Sequence, residues 1–82
     1  MKFFVELQIR DGDKNKAAAA FEQRGPNRNP GVAFKGAWIG RNDDVAFVLV
    51  ESADEALVAA AAQTWSAIGD SRITQVTDTE QF

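Results

Sequence analysis

The 82-residue sequence contains no cysteine, no histidine and no tyrosine. Without cysteine there can be no disulfide, thiolate nucleophile or zinc–thiolate site. Without histidine the chain lacks the commonest general base near neutral pH and the commonest metal ligand, so neither a metal nor another cofactor is expected. Positive charge is also scarce. Nine Lys and Arg stand against 12 Asp and Glu, for a net charge of −3. That balance argues against nucleic acid, because a polyanion is normally held by a basic patch. Long apolar runs are missing too. The alanine runs are far too short to span a bilayer, and Glu6, Gln8 and Arg10 interrupt any apolar core of a signal peptide. A soluble, cytoplasmic protein with no membrane partner is expected. The length allows one domain, residues 1–82, with no room for a second core. A chain of this size buries only about 60% of its unfolded surface, so association would help its stability.

What is present is a pattern stated twice. Lys2-Phe3-Phe4-Val5-Glu6-Leu7-Gln8-Ile9 reads as a strand, followed by an alanine-rich helix over residues 17–24 and a second strand over 32–40. A strand over 45–51, an alanine-rich helix over 53–68 and a last strand over 72–77 repeat the order. The sequence β-α-β-β-α-β predicts an α+β, ferredoxin-like fold: a four-stranded antiparallel sheet with two helices on one face. In the first strand Phe3, Val5, Leu7 and Ile9 share a face, and Phe4, Glu6 and Gln8 the other.

Asp11-Gly12-Asp13 breaks that strand, and either aspartate could cap the next helix. Ala17, Ala20, Phe21 and Arg24 share a helical face that Gly25-Pro26 should end, and residues 25–31 have loop composition. The middle strands read as a hairpin through Arg41-Asn42-Asp43-Asp44. With Asn42-Asp43 as the turn, Trp38 lies opposite Phe47, Gly36 opposite Leu49, and Phe34 opposite Glu51. Ser52-Ala53-Asp54-Glu55 resembles a capping box with Ser52 as cap. Leu57, Ala61, Thr64, Trp65 and Ile68 form the expected buried stripe, with Gly69 as the stop and Trp65 a core residue.

These alternations leave Phe4, Phe34, Trp38, Val45, Phe47 and Leu49 on the helix-free face, together with Glu6, Gln8 and Glu51. Such a surface is unusually apolar for a monomer. A second copy packed sheet against sheet would cover it, giving an isologous homodimer. Phe4, Glu6, Phe34, Trp38, Val45, Phe47 and Leu49 are therefore the candidate interface or binding residues, with a small apolar molecule as a possible ligand. Glu6 is a weaker proton-transfer candidate than Glu51, set against pairing with a cationic residue at that interface.

Several motifs almost match a chemistry. Asp43-Asp44-Val45-Ala46-Phe47-Val48 occupies the place of the basic-Gly-aromatic-Ala-aromatic-Val strand of RNA-recognition domains. Its aspartates replace the basic residue and glycine, and Val45 replaces a stacking ring, so RNA binding is disfavoured. Asp11 to Glu22 imitates the ends of a calcium loop, but Lys16 holds the position that needs glycine, which favours a capping turn. Gly36-Ala37-Trp38-Ile39-Gly40 lacks the lysine and helix of a phosphate loop, and its glycines suit close approach of a strand or ring. Glu51 ends an apolar strand and is the candidate proton-transfer group, set against a solvated strand end. Arg24, Arg28, Lys35 and Arg41 could form an anion-attracting rim, set against scattered surface charge.

Gly36-Ala37-Trp38, the run Phe47-Val48-Leu49-Val50-Glu51 leading into Ser52-Ala53-Asp54-Glu55, and Gln63-Thr64-Trp65 resemble the dimeric α+β barrel superfamily. That group includes muconolactone isomerases and antibiotic-biosynthesis monooxygenases, and the likeness is nearest to a small bacterial family of uncharacterised function. The resemblance implies sheet-to-sheet pairing into a dimeric barrel. It also implies a cofactor-independent enzyme acting on a small apolar molecule in a cleft between helices and sheet. The His and Tyr side chains on which many of those enzymes rely have no counterpart here. The alanine-rich helices imply tight packing with little cavity.

Overall fold

The structure is a computed structural model that describes residues 1–22 and 29–82. The described chain runs β1 (Lys2–Ile9), α1 (Lys14–Glu22), β2 (Ala33–Ile39), β3 (Val45–Glu51), α2 (Glu55–Gln63) and β4 (Gly69–Val76), with short 3₁₀ turns at Arg10–Gly12 and Thr79–Gln81. The four strands form one sheet in the order β2-β3-β1-β4, and every neighbouring pair is antiparallel. This is the ferredoxin-like α+β fold. Among the described residues, no helix is long and apolar enough to cross a membrane.

Period-two alternation in β1 and β3 builds the core. Phe3, Val5 and Leu7 of β1 stand beside Val50, Val48 and Ala46 of β3 in the register, and all six are at most 1% exposed. Ala17 and Phe21 of α1, and Val58, Ala61 and Ala62 of α2, join the same buried cluster. Both helices therefore cover one face of the sheet. Burying each large side chain of this set stabilises the fold by about 1.5–3 kcal/mol. Trp65 follows α2 and is 4% exposed, its ring edge-on to Phe21 at 5.1 Å.

The helix ends differ from the sequence expectation in instructive ways. α1 begins at Lys14 because Asp13 caps it, its carboxylate accepting from Lys16 N at 3.0 Å. Asp11 and Gly12 both take positive φ to turn the chain out of β1. The expected contribution of Arg24 and the stop at Gly25-Pro26 lie outside the described residues. α2 is capped by Asp54, whose carboxylate accepts from Ala56 N at 2.9 Å. Ser52 is not the cap. Its hydroxyl donates to Gly31 O at 2.8 Å and accepts from Asp54 N at 3.3 Å, tying the β2 approach to the start of α2.

The buried stripe of α2 passes through Val58, Ala61 and Ala62 and continues to Trp65 and Ile68. Leu57 is 38% exposed and leans over Gly31, and Thr64 is exposed. The helix ends at Gln63 and a turn carries the chain on to Ile68, so Gly69 opens β4 instead of stopping a helix. A Cβ at Gly69 would run into the Gln8 carbonyl of β1, so glycine is needed there for close approach.

The hairpin keeps its expected register near the turn: Trp38 pairs with Phe47 and Gly36 with Leu49. An irregularity at Lys35 then shifts the strand, so Phe34 pairs with Val50 and Ala33 with Glu51. A bulge of this kind inserts one residue and turns those beyond it to the other face. Phe34 is therefore packed against the core, 6.1 Å from the ring of Trp65.

Candidate functional site

The face opposite the helices is assembled by register alone. β3 contributes Val45, Phe47, Leu49 and Glu51, β1 contributes Phe4, Glu6 and Gln8, and β2 contributes Gly36 and Trp38. β4 completes it with polar residues, Arg72 opposite Glu6 and Thr74 opposite Phe4. Phe4 and Phe47 are diagonal neighbours with ring centroids 5.6 Å apart and planes tilted by 31°. Trp38 is 53% exposed, and with Phe4 and Phe47 it frames a shallow, wholly apolar depression of about 330 Å³. Phe4, Val45, Phe47 and Leu49 are each half-buried. Six of the seven expected interface candidates thus share this face. Phe34 does not, for the bulge removes it. Glu6 has its cationic neighbour, Arg72, in its own sheet.

Glu51 lies at the far end of β3 from the hairpin turn. Its side chain is 45% exposed and its carboxylate is 3.6 Å from Lys35 Nζ. It lines a polar cavity of about 280 Å³ with Lys2, Gln75, Thr77 and Asp78 among the walls. Lys2 Nζ is 3.0 Å from Asp78 in that wall. Trp38 belongs to other cavities, so the structure does not bring Glu51 and Trp38 into one site. Of the four residues proposed as an anion rim, Lys35 faces Glu51, and Arg24 and Arg28 lie outside the described residues. Among the described residues, no group of three or more acidic side chains converges as a metal ligand set.

A third concavity has no forerunner in the sequence reading. Between α1 and the edge strand β2, a cleft of about 180 Å³ is lined by Ala18, Phe21, Glu22, Ala37, Trp38 and Ile39. Tight packing was expected from the alanine-rich helices, but here Ala18 and Ala37 both line the cleft, and two small side chains leave space between helix and strand. The sequence trace of this cleft is the alanine on each element, which cannot be recognised without knowing the register.

Searches of curated proteins and of solved structures found no match. Residues 1–82 match the model of a domain of unknown function, DUF3303, and the match spans the whole sequence. The chain, a small α+β domain with a four-stranded antiparallel sheet, belongs to that family.

Proposed function

We propose that the protein acts as a homodimer in which two open sheet faces close on each other as an α+β barrel, serving as a ligand-binding or structural dimer in the cytoplasm. The observation that carries this is the cluster of Phe4, Phe47 and the half-exposed Trp38 on a face that none of the described elements covers. Aromatic rings on a sheet surface suit a sheet-on-sheet interface, where side chains from the two faces interdigitate over about 10 Å. The resemblance to dimeric α+β barrels points the same way. Sedimentation equilibrium at micromolar concentration is expected to give twice the chain mass, and Phe47→Glu is expected to give the monomer. A wild-type monomer at that concentration overturns the proposal. Thermal-shift screening of a metabolite library tests the ligand-binding role, with stabilisation by an apolar acid or aromatic as the expected result.

A second reading, a cofactor-independent enzyme of isomerase or monooxygenase type, is favoured by one observation: the Glu51 carboxylate lines a cavity. In that role Glu51 would move a proton on a small molecule held there. Glu51→Gln should then abolish turnover while leaving the melting temperature near wild type. Retained turnover in that variant removes Glu51 from the chemistry.

A further inference from the structure

We propose that the cleft between α1 and β2 binds a small organic cation: an apolar or aromatic body carrying a single ammonium group. The walls are apolar on three sides. Phe21 is 4% exposed and fixed edge-on against Trp65, so it is a rigid wall and not a gate. Ala18, Ala37 and Ile39 add aliphatic surface, and Trp38, on the edge strand, completes the lining. The space, about 180 Å³, equals about six water volumes at roughly 30 Å³ each, which suits one aromatic ring with a short side chain.

The charge of the occupant follows from the single ionised group in the lining, Glu22. No ion pair to Glu22 is formed by any described residue. Of the two lysines of α1, Lys16 is the nearer in sequence and forms no ion pair to Glu22, and Lys14 lies one turn before Ala18. Its ammonium already donates to Gly40 O at 2.9 Å and Arg41 O at 3.2 Å. A carboxylate in an otherwise uncharged lining attracts an ammonium group and repels a carboxylate, and the lining includes the indole- and phenyl-bearing residues with which an ammonium makes cation–π contacts. An apolar neutral molecule would fill the walls but leave the carboxylate unused. The cleft is built from one chain but shares Trp38 with the face proposed to pair, so the oligomeric state of each sample is measured beside its binding.

The test uses three probes of similar shape, phenethylammonium, phenethyl alcohol and phenylacetate, titrated into the ¹⁵N-labelled wild-type chain at neutral pH. Phenethylammonium is expected to shift the backbone amides of Ala18, Phe21, Ala37 and Ile39, binding more tightly than the alcohol, with phenylacetate weakest. Glu22→Gln should weaken the cation about threefold to fivefold and leave the alcohol unchanged. Trp38→Leu should weaken the cation by about tenfold. Equal binding of cation and alcohol overturns the charge assignment, and amide shifts located elsewhere, or none, overturn the site. Sedimentation of the same samples keeps the two proposals apart, because a failed titration on an intact dimer counts against the cleft alone.

Discussion

Gly36 lies directly beneath the indole of Trp38: a Cβ built on the glycine would come within 2.6 Å of the ring. Both residues face away from the helices on β2, and the tryptophan folds back over the bare backbone of the residue two positions before it. Gly36→Ala therefore has to displace the ring. The obstacle is the far end of a side chain, so the ring can swing outward and the cost to folding should stay below about 1 kcal/mol. The change should appear in association and in the tryptophan spectrum, with weaker dimerisation by sedimentation and emission shifted to the red. An unaltered spectrum would show that the ring does not rest on Gly36.

Gly69→Ala should behave in the opposite way. Here the added methyl group meets the Gln8 carbonyl of β1, part of the sheet itself, and no rotamer change can clear it. Backbone displacement at the β1–β4 pairing is expected to cost about 2–4 kcal/mol, measured as a lower midpoint in urea unfolding. A loss below about 0.5 kcal/mol would mean that the two strands can separate there cheaply.

The contrast between these glycines shows what could and could not be seen in the sequence. Alternation over Lys2–Ile9 and Val45–Glu51 specifies both strands and both of their faces, because the core side of each is uniformly apolar. The strand order follows from the β-α-β-β-α-β pattern. The bulge at Lys35 leaves no mark on composition. Ala33, Phe34 and Lys35 alternate acceptably in either register, and only packing of Phe34 against Trp65 selects one. The α2 cap was hidden for a related reason. Ser52 and Asp54 are both good caps, and the choice between them rests on the bond from Ser52 to Gly31, a residue 21 positions away. The cleft at Ala18 and Ala37 is likewise a relation between two elements, invisible along either one.

That division of labour near α2 is testable. Asp54→Ala removes the N-cap acceptor and should cost about 1 kcal/mol. Ser52→Ala removes two bonds made by a hydroxyl that is nearly buried, one of them to Gly31 O, and should cost about 1–2 kcal/mol. Glu55→Ala should change little beyond a few tenths of a kcal/mol, because Glu55 supplies only a favourable charge in the first turn. Urea unfolding of the three variants checks the ranking. A large loss from Glu55→Ala would restore the capping box that the sequence suggested.

The bulge also separates two phenylalanines that the sequence places together. Phe34 packs against the core, 6.1 Å from Trp65, whereas Phe47 packs on the open face, 5.6 Å from Phe4. Full truncation of a buried Phe costs about 3–5 kcal/mol, and Phe34 is half-buried, so Phe34→Ala should cost about 2 kcal/mol of folding stability. Its effect on association should be small, because its ring packs against Trp65 and not toward the partner sheet. Phe47→Ala should do the reverse: a loss of about 1 kcal/mol or less in a chain dilute enough to be monomeric, with dimer dissociation strengthened about tenfold or more. Unfolding in urea at low concentration measures the first quantity and sedimentation the second. If Phe34→Ala instead disrupts association with folding intact, the ring belongs on the open face and the shift at Lys35 is absent in solution.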